Sequence, residues 1–208
     1  MLQYLKDKIH RTLYLLGYFL VLIAAKVLFR VQVEGRENVP AHSELIVVST
    51  HRSYWDPPLI GIALGPKNQV HFVAREGLTK NPLFSLPVRL FSTIINRDNF
   101  GKSDLRKMLK ALREKRIVCI LPEGTTQQVS KPKKGAVKLA EKTGHTFVPV
   151  KIEADPYPPR FPNLFPKIRL IIEKPFTVDD LETELPGGED LSPEAYYDGL
   201  TRLLMEKL

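Results

Sequence analysis

The sequence predicts an α/β fold, a mixed β-sheet flanked by helices, preceded by an N-terminal membrane-anchoring helical segment. Three observations carry this expectation. Short β-branched apolar runs, such as Leu45-Ile46-Val47-Val48 and Ile117-Val118-Cys119-Ile120-Leu121, have the length of buried strands. Stretches with helical spacing lie between such runs, so strands and helices alternate along the chain. The 208 residues are 43% apolar and 26% charged, enough for one sizeable domain with its own core. The expected division is a helical segment over 1–30 and a folded domain over 31–208.

Thr12 to Ala25 carries no charge and is flanked by Arg11 and Lys26. These 14 residues fall short of the ~20 that span a bilayer as a helix. Lys26-Val27-Leu28-Phe29 lengthens the run if the lysine stem snorkels, and the tyrosines and phenylalanine suit a membrane interface. No small-residue cleavage site follows. The expectation is a retained anchor, spanning the bilayer or buried in one leaflet; a plain core helix is the alternative.

Val31 to Gly35 alternates as a strand, and a loop with Pro40 covers Arg36 to Ser43. Glu44 to Ser49 is the next strand. Leu59 to Leu64 reads as helix, closed by Gly65-Pro66. Val70 to Ala74 is a strand, and Glu76 to Leu90 reads as two short helices broken at Pro82 and Pro87. Ser92 to Ile95 is a short strand. Ser103 to Arg116 is amphipathic, with Leu105, Met108, Leu109 and Leu112 as its apolar face. Ile117 to Leu121 is a strand, Gly135 to Thr143 a helix ended by Gly144. His145 to Ile152 and Ile168 to Glu173 are strands on either side of a proline-rich loop. Ser192 starts a last helix, with Pro193 in its first turn.

The net charge of +8 is unevenly spread: Arg97 to Lys138 holds 12 Lys/Arg against 4 Asp/Glu, and the remainder balances at 19 and 19. A concentrated basic face suits anionic lipid headgroups, phosphorylated substrates or an acidic carrier protein. No nucleic-acid module or aromatic-basic interleaving is present, so nucleic acid is not the expected partner. Cys119, the single cysteine, sits within an apolar strand, where a thiol is a small buried hydrophobe rather than a nucleophile. The five histidines are too scattered for a metal site. Gly101-Lys102-Ser103 lacks the preceding glycine of a phosphate-binding loop, and no Gly-x-Ser-x-Gly elbow occurs.

One stretch carries chemistry. Thr50-His51-Arg52-Ser53-Tyr54-Trp55-Asp56-Pro57 lies on a strand-to-helix turn, with Asp56 expected at the helix N-cap. On a continuous helix, residues five apart do not share a face. On a turn the carboxylate can fold back to the imidazole, fix its tautomer and support the charge it gains as a general base. Spacing by itself leaves both readings open, a cap beside a turn histidine or a catalytic pair.

His51-Arg52-Ser53-Tyr54-Trp55-Asp56 resembles the His-x-x-x-x-Asp signature of the glycerolipid acyltransferase family, best known for 1-acylglycerol-3-phosphate acyltransferases. Thr50 replaces the family's Asn, and Ser53 fits its Ser. Three further blocks follow in family order. Ile95-Asn96-Arg97-Asp98 resembles the second, whose arginine the family uses for the acceptor's phosphate. Leu121-Pro122-Glu123-Gly124-Thr125 resembles the third, Phe-Pro-Glu-Gly-Thr-Arg, with Thr126 in place of the arginine. Val148-Pro149-Val150 is similar to the fourth.

The resemblance implies acyl transfer from acyl-CoA or acyl carrier protein to the hydroxyl of a lysophospholipid at the cytoplasmic face of a membrane. No metal or other cofactor is implied. His51 and Asp56 would be catalytic. Arg97, Glu123, Gly124, Thr125, Lys131, Lys133 and Lys134 would hold the substrate, the lysines supplying the charge that Thr126 lacks. Backbone N–H groups at the start of the helix after Asp56 are candidates for binding the tetrahedral oxyanion. Two alternatives stay open: an acyltransferase for a non-phosphate lysolipid, to which Thr126 points, and a lipid-binding or membrane-tethering protein of the same fold without catalysis.

Overall fold

The computed structural model describes residues 1–123, 132–155, 165–187 and 191–208. A long helix, α1 (Leu2–Leu28), leads into an edge strand, β1 (Arg30–Glu34). Then come β2 (Leu45–Val48), α2 (Asp56–Leu64), β3 (His71–Arg75), α3 (Pro82–Phe91), β4 (Ser92–Ile95), α4 (Lys102–Glu114), β5 (Ile117–Ile120), α5 (Gly135–Thr143) and β6 (Thr146–Ala154). β7 (Lys167–Ile172), α6 (Val178–Thr183) and α7 (Pro193–Glu206) complete the described chain.

Among the described residues one seven-stranded sheet runs in the order β1-β7-β6-β2-β5-β3-β4. β2 to β6 are mutually parallel, while β7 is antiparallel to β6 and carries β1 parallel to itself. The sheet is therefore mixed, as the sequence predicts.

Right-handed crossovers decide which face each helix covers. The steps from β2 through β3 to β4 run one way and place α2 and α3 on one face. The steps from β4 through β5 to β6 run back and place α4 and α5 on the other. The period of two within each strand agrees with this. Leu45, Val47, Ile117 and Cys119 pack with Leu59, Ile60 and Ile62 of α2 and with Ala25 and Phe29. Ile46, Val48, Val118 and Ile120 pack instead with Met108 and Leu112 of α4, Val137 and Leu139 of α5, and Leu200 and Leu204 of α7. Burial on both faces explains why β2 and β5 are continuous apolar runs rather than alternating ones.

α1 lies on the α2 face. Tyr14, Tyr18 and Ala25 are buried. The Tyr14 hydroxyl donates to the Asn68 carbonyl at 3.2 Å and accepts the Val70 N–H at 3.3 Å. His10 Nε2 lies 2.8 Å from the Leu90 carbonyl oxygen, and the rings of His10 and Tyr14 meet Phe91 edge-on. The opposite side of the helix exposes Leu5, Ile9, Leu16, Phe19, Leu20, Ile23 and Val27. So α1 is long and apolar enough to cross a membrane, yet it runs against the domain with one apolar side bare.

Three local expectations are corrected. Pro87 does not divide its helix: α3 is continuous, started by Pro82 and capped by Asn81, whose side chain accepts the Leu83 N–H. The proline forgoes one backbone bond, and contacts at Phe91 help secure the helix. On α4, Met108, Ala111 and Leu112 are buried, but Leu105 is exposed and Leu109 only half-buried; the buried stripe is rotated toward Asp104. α6 was not expected, although Thr177 and Asp180 form a reciprocal cap at its start, a signature readable from sequence.

Candidate active site

The loop between β2 and α2 is wound around a carboxylate. Trp55, not Asp56, occupies the N-cap of α2, so the expected capping role for Asp56 is corrected. Asp56 is the first helical residue, and its side chain turns back onto the loop. Oδ2 accepts the N–H of Arg52 at 2.7 Å and of Ser53 at 2.9 Å, and lies 2.8 Å from His51 Nδ1. The turn is closed by the Asp56 N–H donating to the Ser53 carbonyl at 3.1 Å, and the Trp55 N–H to Ser53 Oγ at 3.1 Å. This is how a spacing of five brings the two side chains together: the loop curls where a helix would have separated them.

A carboxylate against Nδ1 holds the neutral imidazole as its Nδ1–H tautomer and leaves Nε2 as the accepting nitrogen. The Asp56 side chain is 1% exposed and that of His51 16%. The ion is shielded, while the ring keeps access to a reactant.

Glu123 follows the end of β5. Its Oε2 accepts the His51 backbone N–H at 2.6 Å, so one of its oxygens holds the loop that carries His51. β2 and β5 are neighbours whose following helices leave to opposite faces. The crevice beyond such strand ends is where open α/β sheets place their sites.

Arg97 lies two residues beyond β4 and is half-buried. Burial, then the charge of Arg75, weaken its hold on its proton, and Asp98 partly offsets them. Arg75 ends the adjacent strand, its register partner being Ile95, and donates weakly to the Tyr54 hydroxyl at 3.5 Å. Tyr54 stacks on Phe84 at 5.6 Å. Among the described residues neither guanidinium has a carboxylate within 4.0 Å. Two neighbouring cations that repel one another, with no carboxylate in ion-pair range among the described residues, form a place for an anion. Sequence reasoning singled out Arg97 and did not single out Arg75; the available signal was an arginine closing a strand parallel to β2 at the same edge.

The lysines divide differently from expectation. Lys134 Nζ pairs with Asp198 at 3.0 Å and Glu194 at 3.6 Å and donates to the Glu194 carbonyl at 3.1 Å. It ties α5 to α7, so its ammonium is already paired with carboxylates of α7. The Lys133 N–H donates to the Pro122 carbonyl at 2.9 Å, and its side chain is exposed. Gly124, Thr125, Thr126 and Lys131 lie outside the described residues. The expected oxyanion donors at the start of α2 are also corrected. Pro57 and Pro58 have no N–H, and the amides of Asp56 and Leu59 bond to the carbonyls of Ser53 and Trp55. Cys119 is buried, and burial together with the charge of Asp56 pushes its thiol up; it offers no nucleophile. No cluster of three metal-ligating side chains occurs among the described residues.

The sequence matches the acyltransferase family over residues 30–153. It is 31% identical to the 1-acyl-sn-glycerol-3-phosphate acyltransferase of Bacillus subtilis, over 78% of this chain and 81% of that protein. It is 28% identical to the protein of the same name from Borreliella burgdorferi, over 59% of this chain and 51% of that protein. The crystal structure of the 1-acyl-sn-glycerophosphate acyltransferase PlsC from Thermotoga maritima superposes with a TM-score of 0.70 at 24% identity, covering 97% of this chain and 80% of that one. That likeness shows a shared fold. Since the matched stretch runs from β1 into β6 and contains both His51 and Glu123, the chain belongs to the acyltransferase family.

Proposed function

We propose that the protein transfers a fatty acyl group from a thioester donor, acyl-CoA or acyl carrier protein, to the free hydroxyl of a lysophospholipid. The preferred acceptor is 1-acyl-glycerol-3-phosphate, and the product phosphatidic acid. The observation that carries the reading is the His51–Asp56 pair, at 2.8 Å with the carboxylate buried. The names of the Bacillus and Borreliella relatives support the choice of acceptor.

Nε2 of His51 takes the proton of the acceptor hydroxyl as its oxygen attacks the thioester carbonyl. The imidazolium formed is balanced by Asp56. Collapse of the tetrahedral intermediate breaks the C–S bond, and the departing thiolate takes the proton from His51, so no acyl-enzyme forms. Arg97 and Arg75 bind the acceptor's phosphate. Glu123 positions the loop through the His51 amide.

The bare side of α1 rests in the bilayer, which holds lysolipid and product near the site. We place this surface on the cytoplasmic side. The Arg75–Arg97 pair favours a phosphate acceptor over a neutral lysolipid, and the reaction needs no metal or redox cofactor.

The test is transfer from labelled acyl-CoA and acyl carrier protein to a lysolipid panel. His51→Ala and Asp56→Asn are expected to lose ~10²–10⁴ in kcat. Full activity in His51→Ala would overturn the mechanism.

A further inference from the structure

The outer face of α4 is strongly basic, and neither the fold nor the acceptor site uses it. Lys102 to Arg116 holds seven Lys/Arg against two Asp/Glu. Lys102, Arg106, Lys110 and Arg113 are exposed, and their helical spacing sets them along one side, away from buried Met108 and Leu112. Lys110 lies 3.8 Å from Glu114. Lys102, Arg106 and Arg113 have no carboxylate within 4.0 Å among the described residues. Arg106, Lys110 and Arg113 line a shallow depression together with Leu109 and Glu114, so three cations and one carboxylate adjoin a small apolar contact.

Charged helix faces are often merely solvated. Position argues for more in this case. α4 covers the opposite face of the sheet from α1 and α2. A bilayer seated on the bare side of α1 therefore leaves α4 in water, where its charges cannot meet anionic headgroups. The helix also starts at the active edge: the chain passes from the end of β4 through Arg97 directly into Lys102.

Resting on the acyl-transfer reading for the nature of the cargo, we infer that the outer face of α4 docks a soluble acidic protein that carries the acyl thioester. Carboxylates of the carrier pair with Arg106, Lys110 and Arg113 and steer its approach. Its thioester arm then reaches His51 from the aqueous side, while the lysolipid arrives from the membrane side. Free acyl-CoA does not need this face.

The experiment measures binding of palmitoyl-loaded acidic acyl carrier protein to the full chain on phosphatidylcholine vesicles. Wild type is compared with R106E/K110E/R113E and with the milder R106Q/R113Q. Wild type is expected to bind more tightly as salt is lowered. Charge reversal should weaken binding at least about tenfold, and the neutral variant by a smaller factor. Vesicle binding and acyl-CoA turnover should be unchanged in both, which also reports that they fold.

Carrier affinity that is absent in wild type, or unaltered by charge reversal, overturns the inference. Vesicle binding that falls with charge reversal overturns it too, because α4 would then be a lipid face. A wild type that binds the carrier but transfers from neither donor refutes acyl transfer and leaves the docking surface standing, so the two readings fail separately.

Discussion

Glu123 Oε2 receives the backbone N–H of His51 at 2.6 Å, joining the end of β5 to the loop after β2. The bond reaches across 72 residues of chain and fixes the backbone that carries the imidazole. Asp56 fixes the ring itself. Backbone and side chain of the proposed base are thus held by two different carboxylates.

Glu123→Ala should therefore lower kcat by ~10–100-fold, the worth of one charge-assisted hydrogen bond, with little change in the acceptor's KM. Glu123→Gln keeps an accepting oxygen and should recover most of the loss. Steady-state kinetics of both variants decide this. A rise in acceptor KM at unchanged kcat would instead put Glu123 against the lysolipid.

Arg97→Ala and Arg75→Ala should each raise the KM for lysophosphatidic acid by ~10–100-fold, as expected on losing a guanidinium–phosphate contact. Arg97→Lys should recover only part, because a point charge does not reproduce the planar fork. Neither alanine variant should affect a lysolipid without phosphate. Equal losses on both acceptors would place these arginines in loop structure rather than phosphate binding.

Leu16 and Leu20 are 63% and 70% exposed on the outer side of α1. Leu16→Glu with Leu20→Glu should weaken vesicle binding by about tenfold or more, since charge on an inserted apolar face is costly. The thermal midpoint in detergent should stay near wild type. Flotation with liposomes measures the first and circular dichroism the second; undiminished flotation would refute α1 as the lipid face.

His71, at the start of β3, has its pKa lowered to about 4, first by burial and then by Lys115 and His10. The unfolded chain takes up this proton near pH 6.5 and the folded chain only near 4, so between these values the unfolded state binds more protons. Stability should be complete above about 6.5 and fall as pH drops toward 4, by at most about 3 kcal/mol from this group. Urea midpoints at pH 7.5 and pH 5 measure the loss. His71→Gln should reduce the difference; an unchanged difference would assign it to other groups.

Much of the architecture is legible in the amino-acid order because burial leaves a local period. β2 and β5 are apolar throughout since both faces are covered, and α1 is uncharged from Thr12 to Ala25, with protein on one side and a bare apolar face on the other. His51 and Asp56 are legible as a pair of the right residue types at a recurrent spacing. The partnerships are not legible, because they join residues far apart in sequence. Parallel pairing brings the ends of β2, β3 and β4 to one edge, which sets Arg75 beside Arg97 and lets Tyr54 reach the Arg75 guanidinium. Packing of α5 on α7 pairs Lys134 with Asp198. The reversal of crossover direction after β4 places α4 on the opposite face from α1. Local sequence records how much of each residue is covered; only the strand order determines by what.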